Sequence, residues 1–272
     1  MATEVFAPAK INLTLHVTGQ RSDGYHLLDS LVVFADFGDR LRVTPASEMS
    51  ITVTGPFAEG VPLDQRNLCW RAAELFGETV SIELEKNLPH AAGIGGGSSD
   101  AAAVISAMEQ IFDRAIQGDP LTLGADVPVC AVGKAVRMQG IGDQLGLCHF
   151  PPLCAVLVNP GVLVPTPLVF QGLTSKENPG MGALPQPDVP SDVWDWLVAQ
   201  RNDLQAPAIA AQPVIGGVLE GLSGLAGVRL ARMSGSGATC FGIFEHAEFA
   251  KRAAQHIQKA HPDWWVRAVQ LS

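Results

Sequence analysis

Residues 89–103 read Pro-His-Ala-Ala-Gly-Ile-Gly-Gly-Gly-Ser-Ser-Asp-Ala-Ala-Ala, with four glycines in the five positions from Gly93 to Gly97. Glycine lets the backbone turn through positive φ and lets a ligand approach the main chain closely. A helix beginning near Ser98 or Ser99 adds N–H groups without partners and the positive end of its dipole. Upstream, Val80-Ser81-Ile82-Glu83-Leu84-Glu85-Lys86 alternates apolar and polar, as a half-buried strand does. Downstream, Ala101 to Phe112 is apolar and free of Gly and Pro. Strand, glycine-rich loop and helix in that order make an anion cradle, most naturally for phosphate. The plainer alternative is a tight turn capped by serine.

The loop is not of the two best-known kinds. No Gly-Lys-Ser/Thr closes it, so it lacks the P-loop lysine. Counted from Gly93 and Gly95, the third glycine of a dinucleotide fingerprint is Ser98. The only acidic residue about twenty positions on, Asp113, falls at the end of the helix and not on a strand. The net charge of −9 argues against nucleic acid as a partner, so an anionic ligand must be held by a local constellation.

At 272 residues the chain forms one large domain or two medium ones. Strand and helix patterns do not alternate strictly, which favours α+β over a doubly wound parallel sheet. A composition shift near Phe150–Pro152 divides the chain into 1–150 and 151–272. Cys69, Cys130, Cys148, Cys154 and Cys240 are odd in number and hold no Cys-x-x-Cys pair, so neither a disulfide framework nor a zinc site is expected. Free thiols, the lack of a signal pattern and the lack of a long apolar run predict a cytoplasmic protein without membrane contact.

Val5 to Val17 reads as a strand interrupted at Pro8-Ala9-Lys10, and Leu27–Phe37, Leu41–Val43 and Ile51–Val53 read as separate strands. Helices are predicted at Asn67–Phe76, Ala101–Phe112, Val193–Gln200, Ile215–Leu222 and Phe249–Ala260. Gly172 to Pro190 is a Pro/Gly-rich surface stretch. Two residues and one loop invite two readings each. Lys10, in an apolar strand, is an edge gatekeeper or a functional cation. Asp126, before Val127-Pro128, is a helix N-cap or a functional carboxylate. Ser234-Gly235-Ser236-Gly237 is a hairpin turn or a second backbone wall of a ligand site. Asn202-Asp203-Leu204 reads as a helix cap, and Tyr25-His26 as the start of a strand after an Asp-Gly turn.

Taken together, Pro8-Ala9-Lys10-Ile11-Asn12-Leu13, the loop from Pro89 to Ala103, and Met233-Ser234-Gly235-Ser236-Gly237-Ala238-Thr239 resemble, in order, the three signature motifs of the GHMP kinases. Four further pieces resemble the branch of that family that acts on a cytidine diphosphate-linked methylerythritol in non-mevalonate isoprenoid synthesis. They are Arg21-Ser22-Asp23-Gly24-Tyr25-His26, Gly97-Ser98-Ser99-Asp100-Ala101-Ala102, Gly124-Ala125-Asp126-Val127-Pro128 and Val164-Pro165-Thr166-Pro167. The resemblance runs from Pro8 to about Phe244. It departs from the family at Ala91, where glycine is usual, and at Ile94, where leucine is usual.

The resemblance implies two α+β domains with the active site in the cleft between them, and transfer of the ATP γ-phosphoryl group to an alcohol. It makes Asp126 the catalytic carboxylate, with Lys10 beside it. Pro89, Gly93, Gly95, Gly96, Gly97, Ser98 and Ser99 cradle the triphosphate, and Asn67, Leu68 and Lys86 match positions around the adenine. Asn12, Tyr25, His26, Thr166 and Phe170 are assigned to the second substrate, with the Tyr25 and Phe170 rings sandwiching the pyrimidine and His26 reading its edge. Mg²⁺ is implied by the chemistry, with no protein ligand identified. Monomer and homodimer both remain open. Two rival readings are a homoserine- or mevalonate-type kinase, which needs no pyrimidine clamp, and a non-catalytic nucleotide-binding protein, which needs neither Lys10 nor Asp126.

Overall fold

A computed structural model describes residues 1–186 and 189–272. The chain begins with strands β1 (Thr3–Asn12), β2 (His16–Gln20), β3 (His26–Pro45) and β4 (Ser50–Thr54). Helix α1 (Leu68–Phe76), strand β5 (Val80–Glu85), and helices α2 (Gly96–Phe112) and α3 (Val127–Val132) follow. Next come β6 (Val136–Gly140), β7 (Gln144–Leu147), β8 (Leu153–Asn159) and helices α4 (Thr166–Gln171), α5 (Pro190–Ala199), α6 (Gln205–Ala211) and α7 (Val214–Ser223). The chain closes with β9 (Val228–Met233), β10 (Cys240–Phe244), α8 (Ala247–Ala260) and β11 (Trp265–Leu271). The class is α+β, as the sequence predicts.

Two compact units form. The first contains Met1–Lys10, Phe37–His90 and Gly95–Gly133. In it, β5 pairs antiparallel with the second half of β3, from Arg40↔Glu85 to Pro45↔Val80, and parallel with β4. A parallel pair needs a crossover, and α1 supplies it. Val80, Ile82 and Leu84 alternate inward along β5. Small residues let helices meet closely, and here Cys69, Ala72 and Ala73 of α1 and the alanines of α2 are all buried.

The second unit contains Ile11–Asp36, Ala91–Ile94 and Lys134–Ser272. There β2 and β6 flank the first half of β3, and β7 extends β6. The remaining strands run β11-β8-β10-β9, antiparallel throughout, with α4–α7 after β8 and α8 after β10. That is the β-α-β-β-α-β arrangement. Its core gathers Val156, Val158, Val169, Ile215, Leu222, Phe244, Ala250 and Val266.

Three local predictions are corrected. Pro8-Ala9-Lys10 does not interrupt the first strand, which runs unbroken from Thr3 to Asn12. Leu27–Phe37 and Leu41–Val43 are one strand of 20 residues. Its Gly38 is not a break but a contact: a Cβ there would lie 2.1 Å from the Ala7 carbonyl oxygen. Helix α2 starts at Gly96, so two loop glycines form its first turn. Helices α4 and α6 have no counterpart in the sequence reading. The Gly172–Pro190 stretch is tied down in part. The Asp29 carboxylate accepts from the Met181 N–H, Arg137 donates to the Met181 and Gly182 carbonyls, and Asn178 donates to the Val17 carbonyl. Residues 187–188 of that stretch lie outside the described residues. Among the described residues no helix is long and apolar enough to cross a membrane.

Candidate active site

In the first unit the glycine loop meets a half-buried ion pair. Lys10, 4% exposed on β1, donates to Asp126 Oδ2 at 2.8 Å, although 116 positions separate them. A buried lysine needs a partner of this kind, and an edge gatekeeper would face water. Asp126 occupies the N-cap position of α3 but makes no capping bond; its carboxylate turns to Lys10. Gly95 caps α2 at φ 66, and a Cβ on it would sit 3.1 Å from Lys10 Cβ and 3.4 Å from Lys10 Cε. Only glycine lets the loop lie this close on the lysine stem. Ser99 fixes the loop from below by donating to the Pro8 carbonyl at 2.8 Å. Ser98 is half-buried and Gly97 exposed, so the first turn of α2 faces outward with its N–H groups. Cys130 lies against Gly95 as well; burial pushes its thiol far above the usual range, and Asp126 pushes it further, so it stays protonated.

Lys86 follows β5 and is also buried, at 4% exposure. Its ammonium donates to both Asp39 and Asp100, the latter at 2.6 Å. It lies below the glycine turn: a Cβ on Gly96 would be 3.2 Å from Lys86 Nζ. Asn67 is the N-cap of α1. Its Oδ1 accepts from the Cys69 N–H and its Nδ2 donates to the Pro62 carbonyl, so both polar atoms are engaged. Leu68 lies 3.6 Å from the Cβ position of Gly97. Pro89 follows Leu88, which is buried beside Gly96.

In the second unit a different set converges. Gly93, at φ 73, sits on the loop after β9: a Cβ would meet the Ser234 and Gly237 carbonyl oxygens at 2.5 and 2.7 Å. Ser234 donates to the Gly93 carbonyl and accepts from the Asn12 N–H. The stretch from Ser234 to Gly237 is therefore both a hairpin connection between β9 and β10 and a wall against the start of the glycine loop. Asn12 donates from Nδ2 to Ser30 at 2.8 Å, while its buried Oδ1 has no partner and faces Gly235. Thr166 bonds Ser236 at 2.8 Å. His26 stacks on Phe170, centroids 4.7 Å apart and planes 24° apart. Burial lowers the His26 pKa and Lys176 lowers it further, so the ring is neutral, and its buried Nε2 has no partner. Tyr25 is 61% exposed on the turn before β3.

Sequence reasoning missed Asp39, Asp100 and the loop brace Asn202. The Asn202 amide donates to the Met233 and Gly235 carbonyls, both at 2.8 Å, while its Oδ1 accepts from the Leu204 N–H. The cap that the sequence suggests is present, but the two other bonds are tertiary. The one signal for Asp100 was its place inside the motif; nothing in the sequence marks Asp39.

Ala91 adopts φ 46 on the exposed start of the loop. A left-handed conformation costs an L-residue about 1–2 kcal/mol. Glycine costs about 0.4–1 kcal/mol through the unfolded chain. Ala91→Gly is therefore expected to stabilise the protein by about 0.5–1 kcal/mol in chemical denaturation. A loss of stability would show that this residue is unstrained.

Two family models match the chain: "GHMP kinases N terminal domain" over residues 67–148 and "GHMP kinases C terminal" over residues 197–263. The 4-diphosphocytidyl-2-C-methyl-D-erythritol kinase of Dinoroseobacter shibae is 60% identical over 264 residues, covering 96% of this chain and 92% of the relative. The protein of the same name from Ruegeria pomeroyi is 54% identical, covering 97% and 98%. A crystal structure of a 4-(cytidine 5'-diphospho)-2C-methyl-D-erythritol kinase superposes with a TM-score of 0.79 at 35% identity, covering 99% of both chains. A homoserine kinase from Cytophaga hutchinsonii, at 20% identity and TM-score 0.66, shares the fold. With both family models matched and full-length identity to these relatives, the chain belongs to the GHMP kinase family, in its 4-diphosphocytidyl-2-C-methyl-D-erythritol kinase branch.

Proposed function

We propose that this protein transfers the γ-phosphoryl group of ATP to a hydroxyl of 4-diphosphocytidyl-2-C-methyl-D-erythritol, giving the 2-phosphate, in the non-mevalonate route to isoprenoid precursors. The observation that carries the proposal is the Lys10–Asp126 pair, 2.8 Å apart, with the lysine stem lying against Gly95 at the head of α2. A protein that only binds a nucleotide has no use for a carboxylate and a buried ammonium beside its phosphate loop. The full-length relatives named 4-diphosphocytidyl-2-C-methyl-D-erythritol kinase support the choice of substrate.

Phosphoryl transfer leaves the protein mainly positioning and charge stabilisation to perform. The N–H groups from Gly95 to Ser98 and the dipole of the 17-residue α2 hold the triphosphate, while the Ser99 N–H closes the first turn by donating to the Gly95 carbonyl. Asp126 accepts the proton of the attacking hydroxyl, and Lys10 holds the carboxylate in place and offsets charge on the reacting oxygens. Asn12 stands two residues after Lys10 on β1, and its unpartnered Oδ1 is an acceptor for a substrate hydroxyl. Among the described residues no cluster of three or more His, Cys, Asp or Glu side chains forms a metal cage. That suits Mg²⁺ held chiefly by phosphate oxygens and water. When bound, it neutralises phosphate charge. The five unpaired cysteines support a reducing, cytoplasmic setting.

His26 and Phe170 form the base-recognition element of this reading. Phe170→Ala is expected to raise KM for the cytidyl substrate by about tenfold, within the 1–3 kcal/mol typical of a lost stacking platform, with KM for ATP unchanged. An unchanged cytidyl KM removes Phe170 from the site. The reading as a whole is tested by ADP release with ATP, Mg²⁺ and each of three alcohols: the cytidyl substrate, mevalonate and homoserine. Release with the cytidyl substrate alone is expected. Release with mevalonate or homoserine instead keeps the kinase and discards the cytidine clamp, and ATP binding with no release favours a non-catalytic protein.

A further inference from the structure

The cluster under the glycine turn has more charge than packing needs. Asp39 on β3, Lys86 after β5 and Asp100 on α2 are each at most 4% exposed. Buried ions are costly to hold, and apolar side chains of the same size would serve stability as well or better. Yet Asp39 uses both oxygens: Oδ2 accepts from Lys86, and Oδ1 accepts from the Asn87 and Leu88 N–H groups. These two residues lead from β5 into the loop. Asp100 accepts from the same ammonium through Oδ2, and its buried Oδ1 has no partner. The three side chains thus join β3, the root of the loop and the first turns of α2 through one ammonium.

We propose that Asp39 and Asp100 are positioning residues for the triphosphate: they anchor Lys86 beneath Gly96, fix the direction of the α2 N-terminus, and keep the charge under the cradle balanced. The proposal rests on the ATP-dependent reading given above. Its charge balance follows from the count of groups. With both carboxylates ionised the trio carries one net negative charge directly below the site for an anion, and one added proton removes it. Burial pushes the Asp100 carboxyl up to about 8; Lys86 opposes that shift and Asp39 adds to it. Burial alone would lower the Lys86 pKa, but Asp100 and Asp39 raise it above its ordinary value, so the ammonium persists. The other titratable groups facing the trio are the buried thiols Cys69 of α1 and Cys130 of α3, both kept protonated by burial; Cys130 also borders Lys10 and Asp126. With Asp100 protonated the cluster is neutral, and as rising pH ionises this upshifted carboxyl the cluster becomes an anion under the phosphate site.

The test is ATP binding by calorimetry without the second substrate, from about pH 7 to about 9.5, which brackets the Asp100 value. The wild-type chain is expected to lose affinity by about tenfold across that range, through repulsion from the new charge. Asp100→Asn holds the neutral form at every pH, and its affinity is expected to stay flat. Asp39→Asn loosens the root of the loop and is expected to weaken ATP binding about tenfold at neutral pH, with the thermal transition still cooperative. Parallel pH curves for the wild type and Asp100→Asn overturn the proposal. If Asp39→Asn fails to fold, the Asp100→Asn curve decides alone. Failure of the wild type to bind ATP at any pH overturns the ATP reading and this proposal together, whereas tight wild-type binding with no pH difference overturns only this one.

Discussion

Asp126→Asn is expected to lower kcat with the cytidyl substrate by at least about 10²-fold while ATP affinity stays within a few-fold, as for loss of a general base with binding intact. The asparagine side chain has nearly the same size, and its carbonyl oxygen can still accept the bond from Lys10 that Asp126 accepts at 2.8 Å. What it cannot do is take a proton. The backbone groups of Gly95 to Ser99 are untouched, and Ser99 still ties the loop to the Pro8 carbonyl. The split between kcat and ATP affinity is therefore diagnostic. A variant that unfolds, or that loses ATP affinity as strongly as turnover, points to a structural pair. Turnover near that of the wild type removes Asp126 from the chemistry.

The second large effect is expected at Gly93. An added Cβ would approach two carbonyl oxygens and an amide nitrogen of Ser234 and Gly237 at 2.5–2.9 Å, and these are backbone atoms that no rotamer change can move. The residue also sits at φ 73. The left-handed conformation costs about 1–2 kcal/mol and the overpacking about 1–3 kcal/mol, so Gly93→Ala is expected to destabilise the protein by about 2–5 kcal/mol in denaturant unfolding. Gly95→Ala meets mainly the Lys10 side chain, at 3.1 and 3.4 Å. Its penalty is expected to be smaller in stability and larger in turnover, because it displaces the catalytic lysine. Equal effects of the two substitutions on stability would show that the wall formed by Ser234 to Gly237 is not rigid.

Residues within one motif were legible in the sequence because local chemistry places them. The alternation of β5, the helix ending at Phe76 and the glycine loop all follow from spacing and residue type. The pairing of Lys10 with Asp126 was not legible from spacing, since 116 residues separate them; only the family resemblance joined them. Asp39 was invisible for a related reason. Gly38-Asp39-Arg40 has the composition of a turn, and turn propensity lost to tertiary structure: β1 packs against Gly38 while Lys86 claims the Asp39 carboxylate. The first turn of α2 was misplaced because glycine is a poor helix former, yet Gly96 and Gly97 are held there by the packing of Lys86 and Leu68. Helix α4 begins at Thr166-Pro167, where a proline in the first turn resembles the end of a strand as much as the start of a helix.

The central claim is that the group moved is the γ-phosphoryl of ATP and that it lands on the methylerythritol part of the cytidyl substrate. Phosphorus NMR of a mixture of the purified protein, ATP, Mg²⁺ and 4-diphosphocytidyl-2-C-methyl-D-erythritol reads both points at once. One new phosphomonoester signal is expected on the methylerythritol moiety, growing in equal amount with ADP, while the diphosphate signals of the cytidyl group persist. ADP growing with inorganic phosphate alone, or a new signal on the cytidine ribose, would contradict it.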